Sequence, residues 1–268
     1  MVIGCVTLAG SLAAQQPKKS SFLVTINGKM TVKAGPQSQN LVTKTTFAYT
    51  LMQEKRKYQV QLDSADLVVT VEGRVAMSAV LNKDYFENRM AKTKVKSDDA
   101  PASLKQMLQD SYGTPIFEFE VDENFRETKS KAIGGEGSKE TIRNGQVANA
   151  RMFHQPFHAD KKSWKAKVKY ALGEGNYATG ELTFEKLAAK GDIVPVKVSG
   201  TLTPSGKQRN LEIRNGKYEV SGTQNFHRKN KEYESGQQDI QVSFELFQGD
   251  NKVVENSGKM TLILKKTK

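Results

Sequence analysis

Chemistry-bearing side chains are scarce in this chain. Cysteine and tryptophan each occur once, histidine three times, and proline seven times in 268 residues. A Gly-x-Ser-x-Gly nucleophile turn is absent, and three histidines leave few candidate bases for a serine or cysteine nucleophile. His154 and His158 have the i, i+4 spacing of a two-histidine metal face, but Pro156 between them argues against a regular helix. Only His227 could add a third imidazole. We read these residues as turn histidines, and expect no catalytic residue, no cofactor and no metal. No run of 18 or more apolar residues is present, so no segment reads as a membrane-spanning helix.

Charge is missing from one place in particular. Val2 to Ala14 carries none, and this apolar run ends in Ser11-Leu12-Ala13-Ala14 before Gln15-Gln16-Pro17. Small residues at Ser11 and Ala13 fit a secretory signal peptide spanning 1–13, with cleavage after Ala14 as the alternative. A basic n-region is lacking, which suggests a start codon placed inside the true signal. Val2-Ile3-Gly4-Cys5 resembles a lipobox, but the residues after Cys5 continue the apolar run instead of opening a polar tether. Ordinary cleavage is favoured. It leaves a mature chain without thiols and excludes disulfides, thiolate metal sites and cysteine nucleophiles.

What the chain has in abundance is period-two alternation. Tyr58, Val60 and Leu62 alternate with Gln59 and Gln61; Phe117, Phe119 and Val121 alternate with Glu118, Glu120 and Asp122. Trp164, Ala166, Val168 and Tyr170 oppose Lys165, Lys167 and Lys169, and the runs at Val194–Val198, Ile240–Leu246 and Met260–Leu264 repeat the pattern. One apolar and one polar face is the signature of antiparallel sheet resting on a core. Asn27-Gly28, Gly173-Glu174-Gly175-Asn176, Gly191-Asp192, Pro204-Ser205-Gly206, Asn215-Gly216 and Gly249-Asp250-Asn251 supply turn residues for hairpins.

Two helical patterns interrupt the strands. Asp99 can cap a helix with Pro101 in its first turn, Leu104, Met107 and Leu108 on one stripe, and Gly113 as the stop. A weaker one runs from about Ser138 to Phe153, with Asn144-Gly145 in its middle. Before it, Gly134-Gly135-Glu136-Gly137-Ser138-Lys139 has an acid, Glu140, where a phosphate loop needs a hydroxyl, and reads as a connection. The expected organisation is a first β-rich half at 14–135, a linker with a possible helix at 136–160 and a second β-rich half at 161–268. Gly28-Lys29-Met30-Thr31-Val32 recurs as Gly258-Lys259-Met260-Thr261-Leu262, which fits a duplication about as well as it fits pairing of the first and last strands.

Phe153 to Tyr170, with Pro156 and then Lys161-Lys162-Ser163-Trp164, and later Val198-Ser199-Gly200-Thr201, resembles an uncharacterised secreted bacterial family known only as a domain of unknown function. Lys162-Ser163 stands where that family has Gly-Asp, and the likeness covers the second half of the chain. It implies export and a β-rich fold, and no activity. The expected fold is mainly β: an antiparallel curved sheet or open barrel, either undivided or of two similar halves, with one or two short helices. Its outline resembles the lipoprotein-carrier half-barrels, which hold acyl chains on a concave apolar face.

The formal net charge is +12, of which residues 1–135 contribute +4 and residues 136–268 contribute +8. Lys161, Lys162, Lys165, Lys167 and Lys169 form a candidate polyanion-binding face, supplemented by Arg228, Lys229, Lys231 and the tail Lys265, Lys266 and Lys268. The other reading of these lysines is a solvated face that deters edge pairing. In an exported protein the partners of such a face are anionic lipid or acidic polysaccharide before nucleic acid. Of the carboxylates, Asp98-Asp99 reads as helix capping, while Asp122-Glu123, Glu118 and Glu120 read as solvated; a hydrolase would need two of them across a cleft. The leading expectation is a non-catalytic exported cell-envelope protein, periplasmic or extracellular, that binds an amphipathic or hydrophobic ligand. A structural or adhesive module is second and a carboxylate hydrolase third. Mass spectrometry of the native protein checks the export reading: it requires an N-terminus at Ala14 or Gln15, and an intact Met1 or a diacylated Cys5 overturns it.

Overall fold

The computed structural model describes residues 17–123, 127–135, 157–173, 176–208 and 210–268. The leader expected at 1–13, the helical pattern expected at Ser138 to Phe153, and His154 with Pro156 lie outside them. Among the described residues strand accounts for 74% and helix for 6%, so the alternation sets the architecture. Six strands come first: β1 Lys18–Ala34, β2 Gln37–Glu54, β3 Lys57–Val71, β4 Arg74–Asn82, β5 Tyr85–Asn88 and β6 Thr93–Lys96. Helix α1 (Ala102–Ser111) and a hairpin of β7 (Pro115–Val121) and β8 (Glu127–Ala132) follow. The rest are β9 Ser163–Gly173, β10 Asn176–Lys186, β11 Ile193–Ser205, β12 Lys207–Gln208, β13 Leu211–His227, β14 Glu232–Gln248 and β15 Asn251–Lys266.

These strands make one antiparallel sheet that does not close, in the order β6-β5-β4-β3-β2-β1-β15-β14-β13-β11-β10-β9. β12 pairs with β13, and the β7–β8 hairpin joins β3 along Lys57–Gln61, on the edge whose later residues pair with β4. The centre of the sheet is the seam between the first and last strands. There Gly28 faces Met260, Lys29 faces Lys259 and Met30 faces Gly258, so the two copies of the Gly-Lys-Met-Thr echo lie against each other.

Alternation places Phe22 and Val24, Phe47 and Tyr49, Val196 and Val198, and Leu262 and Leu264 on the buried side of their strands. The same inward side carries a glycine on neighbouring strands: Gly28, Gly180, Gly200, Gly222 and Gly258. Their role is close approach. A Cβ on Gly258 would stand 2.1 Å from the Lys29 carbonyl oxygen, and one on Gly222 the same distance from that of Gln237. Removing side chains from the inner face lets the sheet roll inward. One contiguous core results, drawing on strands from both ends of the order.

Several turn and cap expectations are corrected. Asn27-Gly28 lies within β1, and Asn215-Gly216 forms a bulge inside β13, with Asn215 at φ +50°. Tight turns fall instead at Gly35-Pro36, Lys55-Arg56 and Glu72-Gly73, as well as at the expected Gly249-Asp250. Asp99 does not cap α1: the cap position is Pro101, without a side-chain bond, and Ser97–Asp99 forms its own 3-10 turn. The stripe is as expected, with Leu108 fully buried, Leu104 and Met107 packed on the core and Gly113 at φ +74°.

Gly258→Val tests the rolled seam. Overpacking against the Lys29 carbonyl lowers stability by about 1–3 kcal/mol, read as a reduced thermal midpoint. Unfolding at the wild-type temperature would show that the backbones do not approach there.

Candidate ligand-binding cleft

In a flat sheet the seven strand spacings between β3 and β10, each about 4.8 Å, would put them roughly 34 Å apart. The roll brings the ends of both to one cleft of about 690 Å3. Two hairpin tips frame it. At the β2–β3 tip, Lys55 takes φ +54°, the Arg56 carbonyl accepts the Val121 amide at 3.0 Å, and Gln53 donates to the Lys55 carbonyl at 3.0 Å. At the β13–β14 tip, Lys231 also takes φ +54° and its amide donates to the His227 carbonyl at 2.8 Å. His227 Nδ1 accepts the Asn230 amide at 3.2 Å, which fixes this histidine as a turn residue. Asp192 anchors the same tip, its carbonyl accepting the Arg228 amide at 2.9 Å and its carboxylate pairing with Lys229 at 2.8 Å.

The cleft floor is apolar: Tyr58, Val121, Phe157 and Phe226, all buried. Phe157 stacks on Phe226 with centroids 3.8 Å apart and meets Trp164 edge-on at 5.9 Å. Burial pushes the Tyr58 phenol up to about 12, with the Glu232 charge adding to the effect, so it stays a neutral hydroxyl at physiological pH. Lys186 crosses the floor with its ammonium 5.2 Å from the Phe157 centroid and donates to the Ala159 carbonyl at 2.6 Å. Burial holds that ammonium below the usual lysine range; nearby Asp160 opposes the shift and Arg228 adds to it.

Glu232, at the base of the second tip, is 6% exposed and accepts Lys18 at 3.0 Å and Lys266 at 2.6 Å. Burial works against its charge, but these bonds outweigh it and the carboxyl sits below its ordinary range. The ends of β1, β15 and β14 are thereby tied beside the cleft.

Lys161 and Lys162 precede the edge strand β9, and Lys165, Lys167 and Lys169 are exposed on its outer face. Acidic and aromatic neighbours are interleaved with them: Lys165 pairs with Glu181 at 2.9 Å, and Lys169 lies 3.9 Å over the Tyr177 ring. None of these five lysines lines the cleft. His158 is half-buried against Trp164, and among the described residues no group of three His, Cys, Asp or Glu side chains could hold a metal. Asp122 and Glu123 do reach the cleft, joined by Asp160.

Glu118 corrects the solvated-strand expectation. It is 8% exposed because Lys57 and Gln59 of β3 and Lys131 of β8 close over it. Sequence reasoning also missed Arg56 and Lys186; the run Glu54-Lys55-Arg56-Lys57 between two alternating strands was the available signal.

No known family and no curated protein matches the chain. Among solved structures, Pseudomonas aeruginosa OccK5 (OpdH) aligns over 94% of this chain and 99% of its own, at 6% identity and a TM-score of 0.26. Pseudomonas aeruginosa OpdL aligns over 93% and 99%, at 4% identity and 0.21. A DUF3598 protein of unknown function from Nostoc punctiforme aligns over 91% and 95%, at 7% identity and 0.13. At such scores the likenesses carry no argument.

Hydrogen bonds from Gln59, Lys57 and Lys131 hold the Glu118 carboxyl down to about 2. A depressed carboxyl contributes stability that is complete above its ordinary value and is lost as pH falls toward the folded one. Denaturant titrations from neutral pH to pH 2 should therefore show wild type losing stability below about pH 4.5 more steeply than Glu118→Gln. Parallel losses would refute the pairing.

Proposed function

We propose that this is a non-catalytic cell-envelope protein that binds an amphipathic or hydrophobic ligand in the cleft at the end of the rolled sheet. The observation that carries the reading is an apolar aromatic floor beneath a charged rim. The volume, about 690 Å3, lies within the roughly 300–1,000 Å3 usual for small-molecule sites. Elsewhere the inner face is filled by the protein's own side chains: Ala178, Leu182, Val196 and Val198 are fully buried. The ligand is therefore assigned to the cleft, not to the whole concave face. The uncharged run Val2 to Ala14 supports export.

Asp122, Glu123 and Asp160 come to the cleft from two segments, which favours a carboxylate hydrolase as a second reading. The cations beside them and the apolar floor weigh toward binding.

Titration with a fluorescent long-chain fatty acid tests the proposal. Wild type should bind saturably at one site. Phe157→Ala, checked for fold by circular dichroism, should weaken binding about tenfold through lost apolar contact. Replacing Lys165, Lys167 and Lys169 by glutamine should leave it unchanged. Absence of saturable binding overturns the reading, and weakening by the lysine substitutions alone transfers the site to the β9 face.

A further inference from the structure

We infer that the ligand's head group is a dianion of the phosphate-monoester type, clasped between the two basic hairpin tips. The inference rests on the cleft being an amphiphile site and adds the chemical class of the amphiphile.

Charge is the first observation. Lys55 and Arg56 reach the cleft from the β2–β3 tip, Arg228 and Lys231 from the β13–β14 tip, and Lys186 from the end of β10. Three carboxylates share the lining, Asp122, Glu123 and Asp160, so the walls carry an excess of two positive charges.

The second observation is how little of that charge is committed. Some cations elsewhere have carboxylate partners, Lys57 with Glu118, Arg89 with Asp66 and Lys252 with Glu245, while others such as Lys29, Lys44 and Arg74 stand alone along their strands among the described residues. What sets the cleft apart is that its uncommitted cations are gathered at one site. Among the described residues the side chains of Lys55, Arg56, Arg228 and Lys231 make no hydrogen bond or ion pair. Arg228 feels the field of Asp192, but that carboxylate is bonded to Lys229. Arg228 also opposes the charge on Lys186. Cations gathered around an apolar floor repel one another, and a bound anion relieves that repulsion.

The third is pre-organisation. Both tips are fixed by backbone bonds through the Arg56 carbonyl and the Arg228 amide, so the arginines start from rigid turns. A guanidinium presents a planar fork of donors that suits phosphate oxygens, and a lysine adds a point charge. A phosphate monoester carries about −1.5 to −2 at neutral pH and three acceptor oxygens, which matches the excess. A carboxylate head would leave one charge uncompensated, and a phosphocholine head would bring a cation of its own. The aromatic floor next to the tips takes the start of the chain.

The test uses the full protein and three single-chain probes of equal chain length: a lysophosphatidic acid, the corresponding fatty acid and a lysophosphatidylcholine. Inorganic phosphate is the fourth arm. The lysophosphatidic acid should bind about tenfold or more tightly than either other lipid. In Arg56→Gln/Arg228→Gln that preference should collapse, with lysophosphatidic acid losing clearly more affinity than the fatty acid and lysophosphatidylcholine changing little. Both arginines are exposed, so the variant is expected to fold. Equal affinity for the three lipids overturns the head-group inference and leaves the cleft reading standing. Failure of every lipid to bind overturns the cleft reading itself. Inorganic phosphate binding as tightly as the lysophosphatidic acid would show a plain phosphate site and overturn the amphiphile assignment.

Discussion

Rolling of a single antiparallel sheet is the constraint on which the other features depend. Strands as long as β1 and β14, each of 17 residues, would span roughly 56 Å if straight and flat. A flat sheet of that size buries one face only by finding a second layer. Here the inner face folds onto itself, and helix α1 with the β7–β8 hairpin completes the core. Glycines on the inward side of neighbouring strands make this possible, because at Gly222 and Gly258 the next backbone occupies the space a side chain would need.

The polar groups follow from the same geometry. Rolling brings strand ends together, and strand ends carry turns, where this chain places many of its charges. Some of those charges are neutralised locally, as at Glu232 between Lys18 and Lys266 and at Asp192 with Lys229. Those at the two tips facing the cleft are not, and this difference separates a structural charge cluster from a candidate recognition surface.

The strands were legible because their inner and outer faces meet different surroundings. Tyr58, Val60 and Leu62, and equally Val194, Val196 and Val198, are buried just where the alternation puts them. Glu118 was misread because alternation reports the side of the strand and not what stands beside it. Flanking β3 and β8 supply a lysine, a glutamine and a second lysine that cover a nominally outer position. Asn27-Gly28 and Asn215-Gly216 carry a turn's composition for other reasons, one a close approach and the other a bulge. The β9 lysines could be placed on one face from sequence, yet the interleaving of Glu181 and Tyr177 from β10 required the pairing register. Nothing local could join Arg56 to Arg228, since their proximity exists only after the roll.

The seam between β1 and β15 has a consequence for how the chain reaches this state. Phe22 through Lys33 are each registered against a residue of the final strand. Until that strand has been synthesised, one edge of β1 has no partner, however well the β1–β2 hairpin forms. Pairing at such sequence separation folds slowly, because a very long loop must close before contacts reward it. Unpaired edges in the meantime are open to association with other chains. A nascent chain of this protein therefore keeps that edge of β1 open until β15 has emerged to cover it.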